Sequence, residues 1–390
     1  MIPYGKHAID ELDIQAVVDV LKSVNLTQGP KILEFEKAVA DYTEAKYAVA
    51  VSHGTAAQHL TMLAADIGTG SSIITSPITF VSTANSGKYV GADVHFSDID
   101  STSINLSPET LKKTVSKFKN VRAIVPVHFA GFPCEMSEIK AIADDVGAVV
   151  IEDAAHALGA VYPNGKKVGC CEFSLMTIFS FHPVKAIAAG EGGMITTNDD
   201  GVYQRLLRLR SHGINKGKDS LFYPNQHDEN GIEARWYYEL QELGYNYRIT
   251  DIQAALGLSQ FRKIDAFIEK RRSLVKKYDK SFSNLPHCQP IQLNGRDVSA
   301  HHIYVLRIDF ATLKISRQFF MNKLFEKGIG TQVHYIPVPL QPYYKSLGGD
   351  LDHYSNAKNY YNEAISIPLY YSLSDAEQQF VIDSICELLA

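Results

Sequence analysis

Short apolar runs of strand type alternate with helical patterns over the first two thirds of the chain. This alternation is typical of βαβ units around a mostly parallel sheet, with helices on its faces. We therefore predict an α/β fold. The predicted strands cover residues 47–51, 72–75, 93–96, 122–127, 148–152 and 176–181.

The stretch between the fourth and fifth predicted strands has a helical period. Apolar residues recur at spacings of three and four from Met136 to Val146, and Gly147 follows, where helix C-termini favour glycine. We predict an amphipathic crossover helix over residues 135–146. Farther along, a polar stretch over residues 215–234 is rich in Gly, Asn, Lys and Asp, and we predict a long surface loop there.

The last third of the chain has a different pattern. A long helical pattern starts near residue 249 and predicts a bridging helix that leaves the sheet region. The patterns after it predict a smaller α+β unit. They comprise strands at residues 302–308 and 332–335 and helices at residues 317–327 and 375–389.

Length also bears on the organisation, because 390 residues exceed the size of most single domains. We expect a large domain with a smaller companion, and an N-terminal helix over residues 9–22 that packs with the companion. The predicted parts are the N-terminal helix (residues 1–20), the large domain (21–250), the bridging helix (251–280) and the small C-terminal domain (281–390).

Charge and hydropathy exclude several kinds of partner. Lys and Arg total 38 against 43 Asp and Glu, a net charge of −5, so the sequence has no basic footprint for nucleic acid or an anionic membrane. Its apolar runs are far shorter than the roughly 20 residues that cross a bilayer. The first residues lack the basic and apolar regions of a signal peptide, so we expect a cytoplasmic protein.

Metal binding and disulfide bonding find no support in the sequence. The five cysteines include no C-x-x-C pair, and neither they nor histidines such as His301 and His302 have the spacing of metal ligands. We therefore expect reduced thiols and no metal. The cysteines are Cys134, Cys170, Cys171, Cys288 and Cys386.

Candidate functional residues follow three of the predicted strands, and ligands of open parallel sheets bind at the carboxyl ends of the strands. The first group is a turn of small polar residues at 52–57, just before a helical run. Small residues let the backbone approach an anion, and the free N–H groups at a helix start bind phosphate. A plain N-cap by Thr55 would explain the same turn.

The second and third strand ends add charged groups. Asp153 and His156 follow the fifth predicted strand, and Ser180 and Lys185 lie at the end of the sixth. A lysine at such an edge can form a Schiff base, while an electron-sink cofactor needs a carboxylate for its ring nitrogen and donors for its phosphate. Each residue alone has an ordinary explanation, such as an exposed lysine or a capping aspartate. Their joint occurrence predicts a pyridoxal phosphate site.

Other catalytic motifs are missing from the sequence. Ser180 lacks the flanking glycines of a hydrolase elbow. The chain also contains no P-loop motif, no H-E-x-x-H zinc motif and no G-x-G-x-x-G after its first predicted strand. Serine hydrolase, nucleoside-triphosphate, metalloprotease and dinucleotide chemistry are therefore disfavoured.

Several segments resemble the fold-type-I pyridoxal phosphate aminotransferases of the DegT/DnrJ/StrS group, which act on nucleotide-linked keto sugars. Within this group, residues 182–185, 236–241 and 243–257 look most like the transaminases of the pseudaminic-acid pathway. The resemblance implies a mostly parallel sheet between helices, with a smaller α+β C-terminal domain. The segments that carry the group resemblance are residues 26–30, 54–57, 75–85, 152–159 and 180–193.

The resemblance implies a role for each residue of the cofactor site. Lys185 would form the Schiff base with pyridoxal 5′-phosphate and carry a proton between cofactor and sugar. Asp153 would hold the ring nitrogen protonated, and His156 would support the ring oxygen or Asp153. The other implied contacts are Phe80 at the ring face, Gly54, Thr55 and Ser180 at the phosphate, and Asn246 at the phosphate of the neighbouring subunit's site.

The resemblance also implies the substrates and the assembly. L-Glutamate would donate an amino group to C4 of a UDP-linked 2-acetamido-2,6-dideoxy-4-keto-hexose, giving a UDP-4-amino sugar for pseudaminic acid biosynthesis. A homodimer with shared active sites would follow from the role of Asn246. The residues implied in the nucleotide-sugar pocket are Tyr4, Asn25, Thr27, His182, Gln332, His334 and Tyr335.

Two departures from the group's pattern stand near the implied cofactor site. Residues 187–189 are Ile-Ala-Ala where the group has Ile-Thr-Thr, and Gln58 stands where a leucine is usual. Group members that dehydrate the sugar carry a histidine in place of the lysine, so Lys185 disfavours dehydration. Two alternatives stay open: another nucleotide-sugar aminotransferase, of the 4-amino-arabinose or 3-amino-sugar type, and a non-catalytic sugar-binding protein on the same fold.

Overall fold

The computed structural model describes residues 1–217, 221–226, 228–229 and 232–389. Its main sheet has the strands β1 (Tyr47–Val51), β2 (Ser72–Thr75), β3 (Asp93–Phe96), β4 (Val121–Val125), β5 (Val149–Asp153), β6 (Met176–Ser180) and β7 (Gly193–Thr197). The spatial order of these seven strands is β1-β7-β6-β5-β4-β2-β3.

The predicted mostly parallel sheet is confirmed, and it contains all six predicted strands. Strands β3, β2, β4, β5 and β6 run parallel to one another. Strand β7 was not predicted, because it begins within a glycine-rich stretch that hides its pattern, and it runs antiparallel to both β6 and β1. β1 therefore points the same way as the parallel strands. In the register, Gly193 of β7 lies between Val51 and Ser180, so the ends of β1 and β6 are close together.

Both faces of this sheet are buried, as alternating residues of the same strands show. Ile74 of β2 and Val150 of β5 pack in one apolar core, while their neighbours Ile73 and Ile151 pack in another. Since successive side chains of a strand point to opposite faces, helices must cover both sides. The helices up to β7 and just after it are α1 (Glu11–Leu21), α2 (Pro30–Thr43), α3 (Gly54–Ala64), α4 (Val81–Tyr89), α5 (Pro108–Val115), α6 (Met136–Val146) and α7 (Asp200–Leu209).

The predicted crossover helix is confirmed as α6. It ends at Gly147, whose φ of 69° lies in the left-handed region that glycine adopts without strain. Ile139 and Ala143 on one side of α6 are fully buried in the core that also contains Ile74 and Val150, as the spacing of apolar residues predicts.

The predicted bridging helix is two helices, α8 (Asp251–Phe261) and α9 (Ile264–Phe282). α8 packs in the core of the main sheet, where Leu258 is buried. The later part of α9 packs in a separate core, where Tyr278 is buried. The backbone at Lys263, with φ −104° and ψ 4°, leaves the helical conformation between them. Because of this break, α8 packs in the core of the main sheet while the later part of α9 packs in the core of the C-terminal part.

The N-terminal helix α1 packs against α8, which differs from the predicted contact with the small domain. Asp13 of α1 is fully buried and accepts hydrogen bonds from Ser259 (2.7 Å), Gln260 (2.5 Å) and Lys263 (2.7 Å). This buried carboxylate ties α1 to the junction of α8 and α9, since a buried charge needs such partners. The residues before the helix do reach the C-terminal part, where Ile2 forms a β-bridge.

The segment predicted as a long loop, residues 215–234, lies partly outside the described residues. The buried carboxylate of Glu239 accepts the backbone N–H groups of Phe222 (2.6 Å) and Tyr223 (2.7 Å), so it holds the stretch 221–226 of this segment in place. Two short antiparallel strand pairs occur here, one that joins the beginning of the segment to residues just after it and one within the segment. They are β8 (Ile214–Asn215) with β11 (Glu239–Leu240) and β9 (Asp228–Glu229) with β10 (Ile232–Glu233).

The C-terminal part has its own antiparallel sheet. One predicted strand, residues 332–335, is wrong: Gln332 makes a single bridge to Ser366, and the chain then follows the wall of the cavity described below. The other three predicted elements of this part are present. The domain limits at residues 20, 250 and 280 stay predictions. The strands and helices of the C-terminal part are β12 (Cys288–Pro290), β13 (Tyr304–Ile308), α10 (Phe310–Leu313), α11 (Arg317–Glu326), α12 (Pro342–Ser346), α13 (Ser355–Glu363), β14 (Ala364–Ile367) and α14 (Asp375–Leu389).

Three observations concern membranes, metals and thiols. Among the described residues, no helix combines the length and the apolar character needed to cross a membrane. The same part of the chain contains no group of three or more His, Cys, Asp or Glu side chains placed to hold a metal ion. All five cysteines are free thiols, and four of them are buried.

Candidate active site

A cavity of about 850 Å³ opens at the carboxyl ends of β1, β5 and β6. Residues of the main-sheet part of the chain form one side of the cavity, and the segment that begins at Gln332 forms the other. Both the main-sheet part and the C-terminal part of the chain therefore line it. The predicted site residues that line this cavity are Tyr4, Gly54, Thr55, Phe80, Asp153, His156, Ser180, His182, Lys185, Gln332, His334 and Tyr335.

The N-terminus of α3 forms one end of the cavity. His53 caps this helix, with its Nδ1 accepting the N–H of Ala56 at 2.9 Å, so the explanation of the turn as an N-cap by Thr55 is wrong. The first N–H groups of a helix have no acceptor within the helix and remain available to a ligand. A Cβ on Gly54 would lie 2.9 Å from Cβ of Ser180, so a glycine is needed for this close approach. We call Gly54, Thr55 and Ser180 the anion cradle.

Asp153 is the last residue of β5 and is buried at the cavity wall. Its Oδ2 accepts hydrogen bonds from Nε2 of Gln58 (2.7 Å) and from the hydroxyl of Thr83 (2.6 Å). Its Oδ1 accepts the backbone N–H of Ala155 at 3.1 Å. A buried carboxylate needs such donors, and here they hold it as an acceptor beside the cavity.

Lys185 lies in the turn after β6, where its backbone N–H donates to the carbonyl of His182. Burial lowers the pKa of Lys185 to about 8, although the negative charge of Asp153 acts in the opposite direction. The ordinary value for lysine is about 10.4, so this side chain gives up its proton far more easily. A neutral amine is both a nucleophile and a base.

His156, His334 and Tyr335 form an uncharged polar wall. The hydroxyl of Tyr335 lies 3.0 Å from Nε2 of His156, and Nδ1 of His334 lies 2.8 Å from Oγ of Ser366. Burial lowers the pKa of His156 well below its usual range and that of His334 to about 3, and it raises the pKa of Tyr335. All three are therefore uncharged at neutral pH. Among the described residues that line the cavity, Lys185 is the only lysine or arginine.

Three predicted site residues do not line the cavity of their own chain. Thr27 forms a β-bridge with Thr250, and Asn25 lies two residues before it in the exposed segment that leads to α2. Asn246 is exposed and lies in a bridge to Ser211. None of these three side chains therefore contributes to the cavity within one chain.

Sequence reasoning missed the roles of three polar residues. Gln58 and Thr83 bind Asp153, and His302 lines the cavity with its ring centroid 4.3 Å from that of His156. One signal was available for Gln58, which follows Gly54 by four positions and so lies on the same face of α3. His302 was considered only as a metal ligand.

The residues at the cavity fit pyridoxal 5′-phosphate. The anion cradle suits a phosphate, Asp153 suits a protonated ring nitrogen and Lys185 suits an aldehyde. Nδ1 of His156 and Oε1 of Gln58 are buried and lack a hydrogen-bond partner among the described residues, as expected where a polar ligand completes a site. Fold and site together are those of the fold-type-I pyridoxal phosphate enzymes.

Comparison with known proteins gives the same class. The chain matches the DegT/DnrJ/EryC1/StrS aminotransferase family over residues 7–386. It is similar to the spore coat polysaccharide biosynthesis protein SpsC of Bacillus subtilis, with 38% identity over 100% of this chain and 97% of SpsC. It is also similar to the UDP-4-amino-4,6-dideoxy-N-acetyl-β-L-altrosamine transaminase of Campylobacter jejuni, with 34% identity over 100% of this chain and 98% of that protein.

Solved structures support this assignment. Helicobacter pylori PseC, an aminotransferase of pseudaminic acid biosynthesis, matches with a TM-score of 0.89 and 31% identity, covering 100% of this chain and 99% of PseC. A sugar aminotransferase of Streptococcus pneumoniae in its pyridoxal phosphate form matches with a TM-score of 0.88 and 27% identity, covering 100% of this chain and 98% of that one.

The chain therefore belongs to the DegT/DnrJ/EryC1/StrS aminotransferase family. It is an aminotransferase, and its cofactor is pyridoxal 5′-phosphate. The predicted family, fold class, enzyme class and cofactor are confirmed.

Proposed function

We propose that this aminotransferase transfers an amino group from L-glutamate to C4 of a UDP-linked 2-acetamido-2,6-dideoxy-4-keto-hexose, giving a UDP-4-amino sugar for pseudaminic acid biosynthesis. The observation that carries the reaction type is Lys185, a lysine with a lowered pKa that shares a cavity with Asp153. The choice of sugar is supported by the similarity to the Campylobacter jejuni transaminase and to PseC over nearly their whole lengths.

The chain's own residues would hold the cofactor at three places. Pyridoxal phosphate, when bound, withdraws electrons from the carbon next to the substrate nitrogen and so makes a proton on that carbon acidic. The anion cradle would bind the phosphate through the N–H groups of Gly54 and Thr55 and the hydroxyl of Ser180. Asp153 would accept the ring N–H, and Phe80, which lines the cavity, would lie at the ring face.

Lys185 would move the proton in both halves of the reaction. As a neutral amine, its Nζ would take the proton from the α-carbon of glutamate, and in the second half it would give a proton to C4 of the sugar. A pKa near 8 suits both steps, because general acids and bases work best when their pKa is close to the operating pH. His156 is uncharged and contacts Tyr335, so it would orient neighbouring groups without competing for this proton.

The sugar would bind on the uncharged side of the cavity. Tyr4, whose ring lies 5.5 Å from that of His334, and Tyr335 offer hydrogen bonds without charge, which suits hydroxyl and amide groups of a sugar. His182 and Gln332 line the same cavity. The described lining provides no cation besides Lys185 for the diphosphate of the nucleotide or the carboxylates of glutamate. We infer that a second subunit supplies this charge.

A homodimer with shared active sites would meet that need, and the family resemblance independently assigns Asn246, which is itself uncharged, to the phosphate in its partner's cavity. Large apolar side chains are exposed in the part of the chain that precedes Asn246, and monomers rarely expose such side chains together. These are Phe222, Tyr223, Trp236, Tyr238, Leu240 and Leu243.

Mixing two inactive variants tests whether the sites are shared. Lys185→Ala and Asn246→Ala chains each damage every site of their own homodimers. A hybrid dimer has one site with both residues intact, so random exchange should restore about a quarter of the wild-type activity. Recovery should be compared with the fraction of hybrid dimers measured by native mass spectrometry. Hybrid dimers without recovered activity would exclude a role for Asn246 across the interface.

A second candidate is a different nucleotide-sugar aminotransferase, of the 4-amino-arabinose or 3-amino-sugar type. The similarity to SpsC, at 38% identity, supports this candidate, because SpsC is named for the biosynthesis of a different polysaccharide, that of the spore coat. The cofactor site would be unchanged, and the residues facing the sugar would decide between the candidates. The alternative of a non-catalytic sugar-binding protein is set aside, because the chain belongs to an aminotransferase family and its Lys185 and Asp153 share one cavity.

Turnover of defined keto sugars separates these candidates. With L-glutamate as donor, kcat/KM should be measured for the L-arabino and D-xylo forms of the UDP-linked 4-keto sugar, which differ at C5. We expect a preference of at least about tenfold for the L-arabino form and a new amine at C4 by NMR. A preference for the D-xylo form, or an amine at C3, would contradict the proposed substrate while leaving the aminotransferase chemistry intact.

A further inference from the structure

Gln58 is a buried amide that the proposed mechanism does not use. It lines the cavity from α3 and is only 4% exposed. Its Nε2 donates to Oδ2 of Asp153 at 2.7 Å and more weakly to Oγ1 of Thr83 at 3.3 Å, while its Oε1 is buried without a partner among the described residues. Burying Oε1 without a partner costs free energy. The hydrogen bond from the NH₂ group to Asp153 offsets this cost and so favours a glutamine at this position.

The hydrogen bond fixes both partners. If the amide rotated by half a turn, Oε1 would face Oδ2 of Asp153, and two acceptors would be in contact. Asp153 thus selects the orientation of Gln58. In return, Gln58 and Thr83 together oppose tilting of the Asp153 carboxylate out of its plane, because a partial rotation would break two short hydrogen bonds.

The two oxygens of Asp153 are not equivalent. A carboxylate oxygen has two lone-pair sites. Oδ2 accepts from Gln58 (2.7 Å) and Thr83 (2.6 Å), which fills both of its sites. Oδ1 accepts only the N–H of Ala155, at 3.1 Å, among the hydrogen bonds of the described residues. Oδ1 is therefore the oxygen with capacity left for another donor.

We propose that Gln58 is a positioning residue for the cofactor site: with Thr83 it saturates Oδ2 of Asp153, so that Oδ1 is the single acceptor left for the ring N–H of pyridoxal phosphate. The inference rests on the role of Asp153 in the proposed function. A carboxylate held in one orientation binds a donor at lower entropic cost than one that rotates, so Gln58 raises cofactor affinity without touching the cofactor's reacting carbon.

Gln58→Met removes the donor and keeps the side-chain length. The cofactor-free protein should be titrated calorimetrically with pyridoxal 5′-phosphate and with its 1-deaza analogue, which has C–H in place of the ring nitrogen. We expect the wild type to prefer the natural cofactor. Gln58→Met should weaken binding of the natural cofactor about tenfold or more, the scale of a hydrogen bond to a charged group, and change binding of the analogue little.

Gln378 offers a matched control. It is also fully buried, donates one hydrogen bond through Nε2 (2.7 Å, to the carbonyl of Leu274) and leaves Oε1 without a partner among the described residues, but it lies in α14 away from the cavity. Gln378→Met should lower the free energy of unfolding without altering either cofactor affinity.

Two results would count against the inference in different ways. Equal weakening of both cofactors in Gln58→Met would mean that Gln58 only fills space. A wild type without any preference between the cofactors would instead overturn the role of Asp153 in the proposed function. If Gln58→Met does not fold by circular dichroism, Gln58→Asn, whose amide is one methylene too short, should give the same selective loss. Failure to do so would also overturn the inference.

Discussion

Glu152 and Asp153 are adjacent carboxylates at the end of β5 with very different surroundings. Both are buried, and because they are neighbours on a strand their side chains point to opposite faces of the sheet. Asp153 accepts three hydrogen bonds and lies beside the cavity. Glu152 accepts hydrogen bonds from four side chains and lies away from it. Its donors are His128 (2.7 Å), Tyr162, Ser174 (2.5 Å) and Thr177 (3.0 Å).

The contrast shows that spare acceptor capacity, not burial, separates the two acids. Nδ1 of His128 accepts the backbone N–H of Cys134 at 3.0 Å, so its Nε2 carries the hydrogen and donates to Glu152. Every donor around Glu152 thus serves to satisfy it, which makes the group structural. Asp153 has a lone pair left and a cavity next to it, which makes it available to a ligand.

The largest expected effect lies on the cavity side, at Lys185. Lys185→Ala removes the group that would move the proton in both half-reactions, so we expect the rate to fall by about 10²–10⁴-fold. Stopped-flow absorbance with glutamate alone would isolate the first half-reaction. The unfolding curve of the cofactor-free variant should match the wild type. Normal turnover by this variant would remove Lys185 from the mechanism.

Asp153→Asn should lower the catalytic activity, whereas the matching substitution at Glu152 should not. The substitution keeps the shape of the side chain and removes the negative charge that would hold the ring nitrogen protonated. We expect kcat to fall by about 10²–10³-fold, as for the loss of one fixed electrostatic partner of the reacting group. Steady-state assays at saturating cofactor provide the measurement. A variant with unchanged kcat would show that this charge has no part in the reaction.

Glu152→Gln should instead lower the free energy of unfolding. The new NH₂ group would face hydroxyl donors that now have one acceptor fewer, so the cofactor-free protein should lose about 2–4 kcal/mol. Urea unfolding followed by circular dichroism would measure this. Activity per folded, cofactor-loaded chain should change little. The comparison would fail if Glu152→Gln were as stable as the wild type and catalytically impaired.

The smallest expected effect is the pH dependence of stability. Burial alone would raise the pKa of Glu152, but hydrogen bonds from His128, Ser174 and Tyr162 outweigh it and lower the pKa below its ordinary value of 4.5. A carboxylate with a lower pKa in the folded state stabilises that state above the unfolded value, and this contribution is lost as the pH falls through the folded value. Between about pH 6 and pH 3, the wild type should therefore lose stability more steeply than Glu152→Gln. Parallel curves would contradict this.

The sequence was informative where topology alone brings residues together. A parallel sheet places the carboxyl ends of its strands at one edge whatever the intervening loops do, so Asp153, Ser180 and Lys185 could be predicted as neighbours. The hydrogen bonds from Gln58 and Thr83 to Asp153 could not be predicted, because they depend on how closely α3 and α4 pack against β5; for Gln58 the sequence indicates only the face of α3 on which it lies.

The break in the predicted bridging helix depends on long-range contacts. Residues 262–263 contain neither glycine nor proline, so no local signal marked the break between α8 and α9. Lys263 instead binds Asp10 and Asp13 of the N-terminal segment there, about 250 residues away in sequence. Asn25 and Thr27 were assigned to the sugar pocket by resemblance alone; they do not line the cavity of a single chain, and their place in the pocket stays a prediction.

Gly54 and Ser180 pack so closely that a methyl group at position 54 would lie within 3.0 Å of both Cβ and Oγ of the serine. The proposed phosphate-binding end of the site therefore cannot change gradually by substitution at position 54, since any side chain there would push α3 away from β6. His334 and Tyr335 lie in a segment without regular secondary structure, where a substitution leaves the sheet intact. In the proposed function, substitutions in this segment would change the side of the cavity that faces the sugar while the packing of α3 against β6 stays the same.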